Sequence, residues 1–248
     1  MGASFYFEIN IMATYISLTN ELLRRINEVN LDSNDFALAR NVQALAKDAI
    51  NSSIREIMQS AQEWPFAIVT YTQTLTAGVG VYSLPADASS VDWSSFYLKL
   101  LPSVGNSPRQ LPVISYDKYL NMHRPIEDMN GVGGYGVPLT VYQTQEMKFG
   151  VTPLPSDAFE IEYKYWSYAP DLSVDTDVPV IPDRFKHIII DGAMMYMMTF
   201  RSNEQSAAIH RDKFQDGIKM MRRLLLDEPL AVTSSVIINQ QNTFSRVA

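Results

Sequence analysis

The chain has 248 residues, a formal net charge of −7 and no cysteine. The lack of cysteine excludes a disulfide framework, a cysteine-based zinc site and a thiol nucleophile. The acidic balance argues against nucleic-acid binding through clustered Lys and Arg, and no apolar run is long enough to cross a membrane. We therefore expect a soluble chain that is made in a reducing cytoplasm and has no membrane partner.

Residues 1–13 predict a short extended arm, and two helices follow it. Ser17 is the expected N-cap of the first helix, whose apolar stripe is Leu18, Leu22, Ile26 and Val29. The stretch "LDSND" (31–35) interrupts the helical pattern. A second helix then runs to about Ala61 with the stripe Leu38, Val42, Leu45, Ala49, Ile50, Ile54, Ile57 and Ala61. Helices with one apolar stripe usually pack in bundles.

Beyond Pro65 the apolar period changes from near four to two, which predicts strands. Seven candidate strands are "FAIVTYTQTL", "VYSLP", "FYLKLL", "LPVIS", "LTVYQT", "EMKFGVTP" and "FEIEYKYW". We interpret residues 66–168 as a small antiparallel β domain. Its first two strands are expected to form a hairpin, in which Gly78 and Gly80 relax the turn. The segment "MNGVGGYGVP" (129–138) is expected to be its most flexible loop.

Residues 169–181 form a linker that is rich in Pro and Asp, and Pro182 is the expected first residue of a third helix. One face of that helix carries Phe185, Ile189, Tyr196 and Phe200. The last helix carries Phe214, Ile218, Met221 and Leu225, and Pro229 ends it. The predicted fold is α+β, with a helical bundle from residues 14–65 and 182–228, the β domain inserted between them, and a C-terminal arm.

The arm, residues 229–248, has a single charged residue, Arg246. Its composition is not that of a solvated tail, and its β propensity predicts a strand that pairs with a partner. Val236 and Ile238 would point to one side of this strand and Ile237 to the other, with Phe244 as a further contact. We expect the arm to dock on a neighbouring protein. The alternative is that it completes the β domain of its own subunit.

Three groups of residues contain side chains that could take part in chemistry. Asp183, His187 and Asp191 recur four residues apart and could orient a base or hold a metal. A structural role is the better interpretation, because Asp183 belongs to a first helical turn and no second histidine is near in sequence. His123 and His210 have no evident partner.

The two other groups fit their functional patterns poorly. "GVGGYG" (131–136) lacks the strand-to-helix context of a phosphate-binding loop. Asp171, Asp175 and Asp177 lack the glycine and terminal glutamate of a calcium loop. The sequence therefore predicts no catalytic residue, no metal site and no cofactor, and the chain is not expected to be an enzyme.

Four methionines stand close together in "MMYMM" (194–198). At helical spacing their side chains point around most of the circumference, and methionine fills irregular apolar gaps. We expect Met194, Met195, Met197 and Met198 to lie in the core or in a subunit interface.

The order of these elements, together with several short phrases, resembles a known family. The phrases are "TYISLTNELLRRINE", "EWPF", "YSLPAD", "MKFGVTPLPSDAFEIEYKYW" and "DVPVIPDRFKHIIIDGAMMYMM". Over about residues 14–228 the chain resembles the head-to-tail adaptor (connector) proteins of tailed bacteriophages, especially adaptors of the tail tubular protein A type from short-tailed phages.

The resemblance implies a structural role in the virion neck. Such adaptors form a ring, usually dodecameric, beneath the portal; the ring continues the DNA channel and receives the tail nozzle. The implied partners are other copies of the chain, the portal protein, the nozzle protein, and double-stranded DNA that passes without sequence-specific binding. Assembly would take place in the host cytoplasm, and the portal would be the partner of the C-terminal arm.

Three alternatives remain open at the level of sequence. The first is another neck component, such as a head-completion or tail-terminator protein. The second is a virion-associated hydrolase that uses a pair of carboxylates across a cleft. The third is a DNA-binding packaging factor, for which the arginine pairs in "LLRRIN" and "KMMRRLLL" are the only dense basic spots.

Overall fold

A computed structural model describes residues 13–128, 134–144 and 148–226. Helices and strands both contribute to the fold, and the longest helices stand at the two ends of the described chain. The helices are α1 (Tyr15–Arg25), α2 (Val42–Ser60), α3 (Tyr116–Lys118), α4 (Arg124–Asp128), α5 (Lys186–Phe200) and α6 (Glu204–Leu225). A π-helical turn, Tyr119–His123, joins α3 to α4. None of the helices within these ranges is long and apolar enough to span a bilayer.

Helices α1, α2, α5 and α6 share one hydrophobic core. Helix α5 packs against α2 and α6, and α1 packs against α2 and α5. Side chains from all four helices are buried there, including Leu18, Leu22, Ile50, Ile54, Ile57, Ile188, Ile189, Met197, Phe214 and Met221. The apolar stripes of α1, α2 and α6 thus meet around α5, as their helical spacing predicts.

Helix boundaries account for the errors in the predicted stripes. Thr14, not Ser17, caps α1, because its Oγ1 accepts a hydrogen bond from the Ser17 amide at 3.4 Å. The helix ends at Arg25, which leaves Val29 outside it and 77% exposed. Leu38 belongs to a 3-10 turn before α2 and is also exposed. Both predicted stripes were therefore too long, because the apolar period continues in the sequence beyond the ends of the helices.

Helix α5 is buried on most of its circumference rather than along one stripe. Pro182 precedes a 3-10 turn, Asp183–Phe185, and the α-helix begins only at Lys186. Phe185 and Ile189 are buried, whereas Tyr196 and Phe200 are exposed near the far end. The predicted face of this helix is therefore correct for its first half and wrong for its second half.

The strands form a four-stranded sheet of order β1-β10-β3-β4, another of order β2-β8-β7-β5, and a two-stranded pair β6-β9. Their bounds are β1 Ile68–Leu75, β2 Val81–Ser83, β3 Ala88–Leu98, β4 Arg109–Gln110, β5 Val113–Ile114, β6 Tyr135–Gly136, β7 Thr140–Gln143, β8 Lys148–Thr152, β9 Leu154–Pro155 and β10 Phe159–Ser167. Most pairs are antiparallel, but β5–β7 and β6–β9 are parallel.

A second hydrophobic core lies among the strands. It is rich in aromatic rings, and Phe96 stacks on Tyr163 with their centroids 4.7 Å apart. Leu75, Phe149, Phe159 and Ile161 are fully or almost fully buried in the same cluster. Alternate residues of β10 point into this core, as a strand with one buried face requires.

The predicted hairpin between the first two strands is wrong. Strand β1 pairs with β10 and β2 pairs with β8, so the two neighbours in sequence belong to different sheets. Gly78 has φ +77° in the connection between them, which favours glycine. The sequence analysis also missed the helical segment from α3 to α4.

The mixed α/β class is confirmed, with antiparallel sheets beside the helices. The division into a bundle (14–65 and 182–228), a β insert (66–168) and a linker (169–181) stays a prediction. Residues 1–12 and the arm, 229–248, lie outside the described residues. So do residues 129–133 of the predicted flexible loop, whereas Tyr135 and Gly136 of that loop form β6.

Candidate assembly surfaces

Helix α6 carries three exposed apolar residues, which form an outer stripe to one side of its buried face. Ile209, Met220 and Leu224 are 52%, 42% and 64% exposed. Residues eleven and four positions apart return to nearly the same side of a helix that turns about 100° per residue. At about 100° per residue, these side chains lie roughly 130° around the helix from the buried Phe214 and Ile218. The same sector also holds the exposed Lys213 and Asp216, so its apolar residues are interspersed with charges.

The end of α5 carries two exposed aromatic rings, of which Tyr196 lies against α2. Tyr196 lines a shallow groove with Ser52, Arg55, Glu56 and Gln59 of α2. Its hydroxyl donates to Glu56 Oε2 at 2.8 Å. Burial and this hydrogen bond raise the pKa of Tyr196 to about 12, so the ring stays neutral. Phe200 lies one turn further along and is exposed.

Two clefts flank the crossing from α2 into β1. One, of about 240 Å³, is lined by Met58, Gln59, Ala61, Gln62, Trp64, Ala67, Ser89, Ser167 and Tyr168. Trp64 fixes this crossing, because its buried Nε1 donates to the Ile57 carbonyl at 3.0 Å and its ring stacks on Phe66. The second cleft, of about 750 Å³, lies between this crossing and the end of α6.

Strand β1 forms one edge of its sheet. Its only partner among the described strands is β10, and the pairing is regular over eight residues from Ile68 to Leu75. The strand contains no charged residue and no proline. Natural edge strands are usually protected by charges, prolines or bulges, so an edge without them is open to a further strand.

Asp183 in the turn before α5, and His187 and Asp191 on α5, do not form a site. Asp183 Oδ1 accepts a hydrogen bond from the Ala13 amide at 3.1 Å, and His187 is exposed. Asp191 Oδ1 lies 3.3 Å from His210 Nδ1 on α6 and 3.9 Å from Arg25 on α1. His210, which sequence left without a partner, therefore joins α6 to α5. These contacts support the structural interpretation.

The aspartates of the linker stabilise the local backbone through hydrogen bonds and an ion pair. The Asp177 carboxylate accepts hydrogen bonds from the Ser173 and Val174 amides at 2.7 and 2.8 Å, and these bonds lower its pKa. The backbone carbonyls of Asp175 and Asp177 accept from the first amides of α1, at 3.1 Å from Ile16 and 2.7 Å from Tyr15. Asp171 pairs with Arg55 at 3.3 Å. The linker thereby holds the start of α1.

The remaining predicted residues are placed as follows. Met194, Met195 and Met197 are buried in the helical core, and Met198 packs against it while partly exposed. Their role in a subunit interface stays a prediction. Val236, Ile237, Ile238 and Phe244 lie outside the described residues, as do the first three residues (131–133) of "GVGGYG". Within the described ranges no three potential metal ligands come together.

Sequence reasoning missed the outer stripe of α6 and the open edge of β1. A signal for the stripe was present, because Ile209, Met220 and Leu224 share a helical face that does not include Phe214. A signal for the edge was the uncharged run "IVTYTQTL". Apolar surfaces and strand edges that remain open in one chain are typical of a structural subunit that is completed by assembly.

A comparison with protein families identifies which structural subunit this is. The model of the SU10 adaptor protein family matches residues 13–235, which is most of the chain. The chain therefore belongs to the SU10 adaptor protein family and is a bacteriophage adaptor protein with a structural role in the virion neck. The closer resemblance to tail tubular protein A stays a prediction. A comparison with curated proteins gave no significant match.

Proposed function

We propose that copies of this chain assemble side by side into a closed ring that joins the phage portal to the tail and continues the DNA channel. The dodecameric number is the one that the resemblance to head-to-tail adaptors implies. Family membership supports the adaptor role, and the outer stripe of α6 is the observation that carries lateral assembly.

Helix α6 has apolar residues both in the core and at its surface. Phe214, Ile218 and Met221 attach the helix to its own core. Ile209, Met220 and Leu224 are about half exposed. Full burial of side chains of this size contributes about 1.5–3 kcal/mol each, so a neighbouring copy that covers them gains roughly half of that. Heterologous contacts of this type close into rings when the rotation between neighbours allows it.

The remaining surfaces would serve the axial partners. We assign residues 14–65 and 182–228 to a ring-forming helical bundle, and residues 66–168 to an inserted β domain that faces portal or nozzle. The linker, 169–181, would fix one relative to the other through its contacts with α1. The sequence offers two acceptors for Val236, Ile237, Ile238 and Phe244 of the C-terminal arm, namely the portal protein and the β domain of the same chain.

The charge of the chain suits a channel through which DNA passes without being held. A net charge of −7 per chain gives a ring few sites for phosphate neutralisation, on which nonspecific DNA affinity depends. We therefore propose no sequence-specific DNA binding. Another neck component, such as a head-completion or tail-terminator protein, is the second candidate, and the number of copies in the ring separates the two.

We also propose that the adaptor is not an enzyme. The contacts of Asp183 and Asp191 support this, since each carboxylate serves a separate structural partner. Hydrolytic turnover on cell-wall substrate that is abolished by His187→Ala would contradict the proposal. So would a metal bound at His187 with defined stoichiometry.

Charge variants of α6 test the assembly surface. Met220→Glu and Leu224→Glu place a carboxylate in the outer stripe, where neighbouring copies would bury it without a partner. Both side chains are exposed in the single chain, so folding should be unchanged. The expected result is native helical circular dichroism with loss of the assembled particle in size-exclusion chromatography with light scattering.

Gln215→Glu is the matched control. Gln215 is also exposed on α6, and the change adds the same charge outside the stripe. This variant should assemble like the wild type. Assembly that survives in both stripe variants, or that is lost equally in the control, would contradict the assignment of this surface.

A further inference from the structure

We propose that the C-terminal segment of the same chain adds a strand to the open edge of β1. The acceptor is the free edge of Ile68–Leu75, which faces away from β10. The donor is the uncharged stretch around Val236–Asn239. This assignment concerns how one subunit completes its own sheet and does not depend on ring formation.

The free edge of β1 has backbone groups that need hydrogen-bond partners. In an antiparallel pair every second residue of an edge strand turns its amide and carbonyl away from its partner. In β1 these outward groups have no described strand to bind, and no charge, proline or bulge protects them. An added strand would satisfy them, as in β-strand addition generally.

Side chains of β1 are partly exposed to solvent on both faces of the sheet. Tyr71 contacts Tyr163 and Tyr165 on the inner face, yet 39% of it is exposed. Ile68 is 42% exposed on the outer face. An added strand needs apolar side chains on both faces to cover them. Val236 and Ile238 alternate with Ile237 in this way.

The described chain ends close to the start of β1. Arg222, Leu225 and Leu226 at the end of α6 line the same cleft as Pro65 and Trp166. Trp166 is the register partner of Ile68, the first residue of β1. The described chain therefore ends near the first residue of the open edge. At roughly 3.3 Å per residue, the residues between Leu226 and Val236 suffice to reach it.

Hydrogen exchange on the purified full-length chain tests the proposal. The wild type is compared with a chain that ends after Glu228 and with the full-length double variant Val236→Asp, Ile238→Asp. Loss of the added strand should speed exchange of the outward amides of β1 about tenfold or more, while β8 and β10 exchange as before. If the truncated chain does not fold, the comparison of β1 exchange between the wild type and the double variant still tests the proposal. Equal exchange of β1 in all three chains would overturn the proposal.

Distance measurements identify the donor. The chain has no cysteine, so Thr72→Cys with Ile237→Cys provides two unique spin-label sites. Labels on one chain, diluted with unlabelled chain, should give a single narrow distance distribution. A broad distribution would contradict the proposal. A short distance that appears only between different chains would also contradict it and would indicate a neighbouring copy as the acceptor. A distance that narrows only after portal rings are added would contradict it as well and would indicate the portal.

Discussion

Asn51 on α2 and Leu172 in the linker are joined by two hydrogen bonds. The Leu172 amide donates to Asn51 Oδ1, and Asn51 Nδ2 donates to the Leu172 carbonyl, both at 3.0 Å. Nδ2 also lies 3.2 Å from the Tyr15 hydroxyl. One buried side chain therefore ties the linker to both α1 and α2, and so fixes the path between the sheets and α5.

Replacing this side chain should loosen the linker. Asn51→Ala leaves the Leu172 amide and carbonyl without their partners, and we expect the free energy of unfolding to fall by about 1–3 kcal/mol. Urea denaturation followed by circular dichroism measures the change. Gln215→Ala removes an exposed amide from α6 and should change stability by less than about 0.5 kcal/mol. An equal effect of the two substitutions would contradict the role of Asn51.

Gly192 allows α5 to approach α6 closely. A Cβ at this position would lie 2.7 Å from Cε2 of the buried Phe214, well inside normal carbon packing distance. Gly192→Ala should therefore destabilise the chain by about 1–3 kcal/mol, although alanine is the better helix former. Gly136→Ala is the control, because its Cβ would meet Pro153 at an ordinary 3.5 Å. Thermal unfolding of both variants tests this, and an unchanged or raised Tm for Gly192→Ala would refute it.

Buried tyrosines make stability sensitive to alkali. Burial raises the pKa of Tyr163 above its ordinary value, and burial with a hydrogen bond to Asp87 raises the pKa of Tyr165 to about 12. A pKa raised in the folded chain contributes stability that is complete below the ordinary value of about 10 and is lost as pH rises through the folded value. The free energy of unfolding should therefore fall between about pH 10 and 12.

Tyr163→Phe isolates one part of this effect. The variant loses the hydrogen bond to Gln73, of 3.1 Å, and should be less stable by about 1 kcal/mol at neutral pH. It should also lose less stability than the wild type between about pH 8 and pH 11, because one tyrosine no longer titrates. Denaturation curves at the two pH values measure both changes. An identical loss in the two chains would show that Tyr163 does not contribute.

Local pattern predicted the helices better than the sheets. The stripes of α1, α2 and α6 were correct at Leu18, Ile54 and Phe214, because helical spacing alone determines which side chains share a face. The predicted hairpin between β1 and β2 was wrong, because an apolar period of two indicates that a strand exists but not which strand pairs with it. The partner of β1 is β10, far along the chain.

The candidate surfaces show the same limit. Sequence could place Asp191 and His210 on helices, but their contact depends on the packing of α5 against α6. The outer stripe of α6 was visible in the spacing of Met220 and Leu224. That these residues remain uncovered by the rest of the chain is a result of tertiary packing, which the spacing does not determine.

The mass of the assembled particle tests the central proposal most directly. Native mass spectrometry of the wild-type chain, alone and with portal rings of the same phage, counts how many 28.0 kDa chains each particle holds. The proposal predicts a closed ring with one fixed copy number, dodecameric as the family resemblance implies, bound to one portal ring. A monomer that stays unassembled even with portal rings, or an open series of masses without a fixed number, would contradict it.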